Sequence, residues 1–195
     1  MGTKYIVNNL SGQTINNQQL QPYKVFTALL TQSGGKDYLN LSEGKLTIGV
    51  TYLIYDLEGV VGADFTNVGA PNNNVGTYFV ATGTTPIWGT NPIGVGVLQY
   101  NPGAPVVTVL ENTIGNIWFT YNSNGNYSMN SIGLLPSYST WGVADCATDN
   151  NLTIQPVYIN VDGQGPDVLY VVVAGGDDFG DNVLRNTPIE IRVYN

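Results

Sequence analysis

In Thr187-Pro188-Ile189-Glu190-Ile191-Arg192-Val193-Tyr194, apolar Ile189, Ile191 and Val193 take turns with Glu190, Arg192 and Tyr194. Strand side chains point to opposite faces with period two, so this alternation predicts a half-exposed strand. Pro188 falls near its start, where a missing N–H costs least. A little upstream, Val168-Leu169-Tyr170-Val171-Val172-Val173-Ala174 is apolar without interruption. Such a run is expected as a central strand buried on both faces.

Working back towards the N-terminus, strand-like runs recur at Lys4–Val7, Val25–Thr31, Lys45–Tyr55, Gly76–Ala81, Val95–Tyr100, Val106–Glu111, Ile117–Tyr121 and Leu152–Ile159. Turn-rich pieces separate them, among them Asn122-Ser123-Asn124-Gly125-Asn126, Asn160-Val161-Asp162-Gly163 and Gly175-Gly176-Asp177-Asp178. Helical periodicity is weak. Its best stretch, Lys24 to Leu30, is rich in Thr, Val and Phe and suits a strand better. Many short strands between turn signals indicate an all-β protein, a β-sandwich or jelly-roll-like domain.

Composition agrees. The 195 residues include 24 Gly and 13 Tyr, and only 10% are charged against roughly 25% in ordinary domains. Disorder is the rival reading of a Gly- and Asn-rich chain, and 43% hydrophobic residues argue against it. Six basic against fourteen acidic residues give a net charge of −8 with no Lys/Arg cluster, which disfavours nucleic acid and anionic membrane surfaces as partners. No run approaches the length of a membrane span. The single cysteine, Cys146, cannot form an intrachain disulfide and reads as a small buried hydrophobe. Met1-Gly2-Thr3-Lys4-Tyr5 leads into a strand-like run without an apolar leader, so the chain is expected to be made in the cytoplasm and not exported by the general route.

Two seams stand out, Gln32-Ser33-Gly34-Gly35 and Asn101-Pro102-Gly103-Ala104-Pro105. They divide the chain into a parent β domain, residues 1–35 plus 101–195, and an inserted small β module, residues 36–100. Within the insert, Asp64-Phe65-Thr66-Asn67-Val68-Gly69 is expected to form an Asx-type turn. Phe65 and Val68 would then enter a small core with Tyr78, Phe79 and Trp88. Trp88 and its neighbours also offer a sugar-binding reading, set against that of a plain β spacer.

Several strings resemble segments of known proteins. Tyr23-Lys24-Val25-Phe26-Thr27-Ala28-Leu29-Leu30-Thr31-Gln32-Ser33-Gly34 and Ala104-Pro105-Val106-Val107-Thr108-Val109-Leu110-Glu111-Asn112-Thr113-Ile114-Gly115 look like consecutive parts of one recurrent unit, here split apart. Gly62-Ala63-Asp64-Phe65-Thr66-Asn67-Val68-Gly69-Ala70-Pro71, Tyr78-Phe79-Val80-Ala81-Thr82-Gly83-Thr84-Thr85-Pro86 and Trp88 look like a second module. Both resemble structural proteins of tailed bacteriophages, including crAss-like gut phages and marine relatives. The resemblance implies a virion location, with capsid decoration proteins and head fibres as the nearest type, and carries no catalytic residues.

The chain's chemistry points the same way. It has no histidine, which removes the commonest general acid–base and every Ser–His or Cys–His pair. No phosphate-binding glycine loop is present, and the Gly94-x-Gly96 pair is not followed by a helix. Paired carboxylates remain as a route to glycoside hydrolysis, which needs a cleft that sequence cannot reveal. The acidic loop Gly175-Gly176-Asp177-Asp178-Phe179-Gly180-Asp181-Asn182 offers Asp177, Asp178 and Asp181 as hard oxygen ligands for calcium, although a solvated turn between strands explains it equally.

The expectation is therefore a non-enzymatic virion protein without a cofactor. It docks on the capsid surface, on the major capsid protein or another virion protein, as a homo-oligomer. The alternatives are a tail-fibre or receptor-binding module that recognises host-surface glycans through exposed Tyr and Trp, and a secreted adhesin or lectin.

Overall fold

A computed structural model describes residues 22–90, 96–145, 147–148, 154–155, 157–160, 167–173 and 181–194. The protein is all-β. Its described strands are β1 (Tyr23–Thr31), β2 (Leu39–Leu41), β3 (Thr51–Asp56), β4 (Tyr78–Val80), β5 (Val97–Tyr100), β6 (Val106–Asn112), β7 (Trp118–Ser123), β8 (Asn126–Asn130), β9 (Thr140–Ala144), β10 (Ala147–Thr148), β11 (Ile154–Gln155), β12 (Val157–Asn160), β13 (Val168–Val173) and β14 (Thr187–Tyr194). One 3₁₀ turn, Thr66–Val68, is the only helical element among the described residues. The expected strand at Lys4–Val7 and the turns at 161–163 and 175–178 lie outside them.

Two antiparallel four-stranded sheets form a sandwich, ordered β6-β1-β14-β9 and β12-β13-β8-β7. Their inner faces share one core. Phe26, Ala28, Leu30, Val107, Ile189, Ile191 and Val193 meet Phe119, Tyr127, Met129, Leu169, Val171 and Val173. The alternation of the last strand is realised as read: Ile189, Ile191 and Val193 are buried, while Glu190 and Arg192 lie half-exposed on the other face. Close approach of the layers requires a glycine on β9, because a β-carbon at Gly142 would lie 2.7 Å from both Ile159 and Ile191.

The continuous apolar run turns out differently. β13 is central, between β12 and β8, but only Leu169, Val171 and Val173 are buried; Val168, Tyr170 and Val172 are partly exposed. Among the described elements nothing fully covers that outer face, so the run is buried on one side. Lys45–Tyr55 is also corrected, since the strand begins at Thr51. Gly49 at φ 85° turns the chain before it, and the residues ahead of the strand instead form a loop against β6. Leu152–Ile159 breaks into β11 and β12, and β2, β8, β9 and β10 are strands that the sequence reading passed over.

A third four-stranded sheet, β2-β5-β3-β4, draws every strand from residues 39–100 and has its own core. Leu46, Tyr52, Ile54, Phe65, Val68, Phe79 and Leu98 make up most of that core. The Asp64 turn sets its corner. Asp64 Oδ1 accepts from the Thr66 N–H at 2.9 Å and the Thr66 hydroxyl at 2.7 Å, and Asn73 donates to the same oxygen at 3.1 Å. These bonds, Thr66 first, hold the Asp64 carboxyl below its ordinary value. The two ends of the segment meet: Asn101 Nδ2 donates to Lys36 O at 2.8 Å, and Leu39 pairs with Tyr100.

This third sheet caps one side of the sandwich. The Val107 N–H on β6 donates to Gly49 O at 2.8 Å, and the Phe119 N–H on β7 donates to the Thr51 hydroxyl at 3.2 Å. The Tyr78 ring stacks on Trp118 at 5.4 Å and 6°, which corrects its expected place in the small core.

Candidate interaction surface

The outer face of β6-β1-β14-β9 is where the sequence left most chemistry exposed. Register places Val25 opposite Arg192, Thr27 opposite Glu190 and Tyr23 opposite Tyr194, and β14 sets Arg192 opposite Trp141 and Glu190 opposite Val143. The Arg192 guanidinium therefore lies between two rings, 4.7 Å from the centre of Tyr23 and 5.2 Å from that of Trp141. Arg192 also donates to Glu190 Oε1 at 2.5 Å. The Glu190 carboxylate, and after it Tyr194, raise the guanidinium's pKa above its ordinary value. The face thus presents a row of Trp141, Arg192 and Tyr23, with Trp141 45% exposed.

Beside this row is a depression of about 390 Å³ between β6 and β9, across β1 and β14. Leu110, Val143 and Pro188 give it apolar walls, and Asp145 and Glu190 are its carboxylates. It owes its shape to a bulge. Register shifts between Thr27, opposite Glu111, and Ala28, opposite Val109, so Leu110 is the extra residue and stands out towards solvent.

Of the sequence-stated calcium ligands, Asp177 and Asp178 lie outside the described residues. Asp181 is placed, and protein donors engage both of its oxygens. The Tyr121 hydroxyl donates to Oδ2 at 2.9 Å, while the Gly125 N–H at 3.0 Å and the Tyr127 hydroxyl at 3.2 Å reach Oδ1. This carboxylate ties the segment before β14 to the β7–β8 hairpin. Among the described residues no group of three or more potential metal ligands occurs. Cys146 lies outside them as well. Trp88 is held in place rather than presented: its indole donates to Gly44 O at 3.1 Å and its ring meets Phe65 edge-on at 5.8 Å.

The Asp181 cluster makes an alkaline prediction. Burial first, then the Asp181 charge and hydrogen bond, push the Tyr127 hydroxyl far above its ordinary 10.0. An unfolded tyrosine ionises near that ordinary value while folded Tyr127 keeps its proton. Its contribution is therefore complete below about pH 10 and is lost as pH rises towards the folded value. Thermal melts across the alkaline range should show Tyr127→Phe with a shallower loss of stability than the parent. At neutral pH the substitution should cost about 1.5–3 kcal/mol for a hydrogen bond to a charged group. An unchanged alkaline slope would contradict this assignment.

Sequence reasoning did not single out the Trp141 row or the depression. The signal was present in Trp141-Gly142-Val143, which alternates as a half-exposed strand must, and in the Glu190/Arg192 spacing. Compared with protein families, with curated proteins and with solved structures, the chain matches none.

Proposed function

We propose that the protein is a non-enzymatic structural component of a tailed-phage virion, an auxiliary protein of decoration or head-fibre type docked on the capsid surface. The observation that carries this reading is the set of exposed apolar side chains on the outer face of β6-β1-β14-β9. There Trp141, Val143, Leu110 and Tyr194 stay exposed on one sheet. Such a face suits burial against a partner, with Arg192 and Glu190 contributing register more than affinity. The segments quoted above that resemble phage structural proteins include β1 and β6 of this sheet, and the absence of histidine from the chain accords with a role without chemistry.

In the same reading, residues 36–100 are a module inserted into the parent domain of residues 1–35 plus 101–195. Their separate sheet and core, and the meeting of their ends at Asn101 and Lys36, support this. The protein acts as a homo-oligomer, since repeated copies on a symmetric lattice multiply weak contacts. One observation favours a second reading, a tail-fibre or receptor-binding module: the exposed Trp141 ring could stack on the C–H face of a sugar.

Copy number on salt-washed virions separates the two. Specific interfaces bury about 1,200–2,000 Å², mostly uncharged here. The protein should therefore stay on purified particles through about 0.5 M salt, where the Debye length is roughly 4 Å. Quantitative gels should find it in many copies per particle, on the order of the capsid's own repeats. Loss of the band at that salt contradicts docking by burial. A few copies confined to the tail would favour the receptor-binding reading.

A further inference from the structure

We propose that Asn124 is a site of spontaneous deamidation and that the Asp181 carboxylate holds the reaction back. Asn124-Gly125 is the only Asn–Gly pair in the chain. It forms the turn between β7 and β8, with Asn124 exposed and Gly125 buried. Asparagine before glycine suits this chemistry because glycine has no β-carbon to hinder approach of its backbone nitrogen to the preceding side chain.

The reaction depends on the Gly125 nitrogen. It loses its proton to a solvent base and attacks Asn124 Cγ. The tetrahedral adduct expels ammonia and leaves a five-membered succinimide. Water then opens the ring at either carbonyl, so position 124 becomes aspartate or, with the main chain rerouted through the side chain, isoaspartate. The net exchange is amide plus water for carboxylate plus ammonium, with no oxidation or reduction.

In the folded chain that nitrogen is already engaged. The Gly125 N–H donates to Asp181 Oδ1 at 3.0 Å. An acceptor hydrogen-bonded to the protonated form favours it, and a negative charge alongside disfavours a second one. The Gly125 carbonyl accepts the Val173 N–H at 2.8 Å, so the residue is also held from β13. Asp181 is fixed in turn by the Tyr121 hydroxyl at Oδ2 and the Tyr127 hydroxyl at Oδ1. Attack on Asn124 Cγ therefore requires the Asp181 bond to break first. Conversion adds a negative charge one residue from the N–H that grips Asp181, and the isoaspartate form also lengthens the turn's backbone. Both loosen the tie between the hairpin and the segment before β14.

The test incubates the full chain, its Asp181→Ala and Tyr121→Phe variants and a synthetic peptide of residues 120–130 at mildly alkaline pH. Conversion at Asn124 is followed by peptide mass mapping and ammonia release. The parent should convert at least about tenfold more slowly than the peptide, the rate equivalent of one hydrogen bond to a charged group. Asp181→Ala should recover most of that factor. Tyr121→Phe removes one donor that fixes Asp181 and should recover part of it. Hydrogen exchange in β8 and β13 checks that the hairpin of each variant is folded.

Parent conversion as fast as that of the peptide would overturn the proposal. A folded Asp181→Ala chain that reacts no faster than the parent would overturn it as well, assigning the protection to hairpin geometry alone. A parent that reacts faster than Asp181→Ala would make the carboxylate a base for the reaction, with the same result. Conversion at Asn122 or Asn130, each of which precedes serine, ahead of Asn124 in the Asp181→Ala chain would overturn the choice of site. Should Asp181→Ala fail to fold, a Tyr121→Phe chain no faster than the parent decides against the proposal by itself.

Discussion

Gly49→Val is expected to destabilise the protein by about 3 kcal/mol, the sum of a left-handed backbone penalty of about 1–2 kcal/mol and an overpacking term of similar size. Gly49 has φ 85°, and a β-carbon there would lie 2.4 Å from Val107 O, the backbone of β6. The same residue's carbonyl accepts the Val107 N–H, so the loop cannot retreat without breaking the bond that closes the β6 edge. At about 2–4 °C per kcal/mol for a chain of this size, the melting midpoint should fall by about 6–12 °C. Gly44 provides the control. Its φ is also 85°, yet a β-carbon there meets nothing within 4 Å. Gly44→Val should therefore show the backbone penalty alone. Equal losses for the two variants in calorimetry would mean that close approach to β6 is not what demands the glycine.

Larger losses are expected in the two cores, and their pattern tests whether the third sheet is a separate folding unit. Phe26 and Phe65 are both essentially inaccessible to solvent, Phe26 in the sandwich core and Phe65 in the core of the third sheet. Truncation of either to alanine removes a buried ring and leaves a cavity, at a cost of about 3–5 kcal/mol. Hydrogen exchange should distinguish them. Phe65→Ala should speed exchange in β3 and β5 while β13 and β14 keep their protection, and Phe26→Ala should do the reverse. The bonds from Gly49 and Thr51 to β6 and β7 will couple the units in part, so the contrast should be strongest for strands remote from that junction. Uniform loss of protection in both variants would show one cooperative unit and remove the inserted-module reading.

The Trp141 row shows how far local pattern carries. Glu190 and Arg192 are two residues apart, so their common face follows from pleat geometry alone. The rings that sandwich Arg192 come from Tyr23 on β1 and Trp141 on β9, strands from opposite parts of the chain. Nothing local to either strand indicates that β14 will lie between them. The β6 bulge is similar: Val106–Glu111 reads as an ordinary strand, and Leu110 becomes the extra residue only because β1 imposes its own register.

From sequence alone came the all-β class, the one-sided burial of β14, the Asp64 turn and part of the small core around Phe65, namely Val68, Phe79 and Trp88. Each depends on neighbours within a few residues: a period of two, a side chain that caps the next turn, an apolar run between glycines. Tertiary structure decided that β13 is buried on one face, that Tyr78 leaves its expected core to stack on Trp118, and that Asp181 is bound by two tyrosines. It also decided that Leu110, Trp141 and Val143 are left exposed on one sheet face. The physical reason is that a strand's own pattern says which residues share a face, while what covers that face depends on pairing between segments distant in the chain.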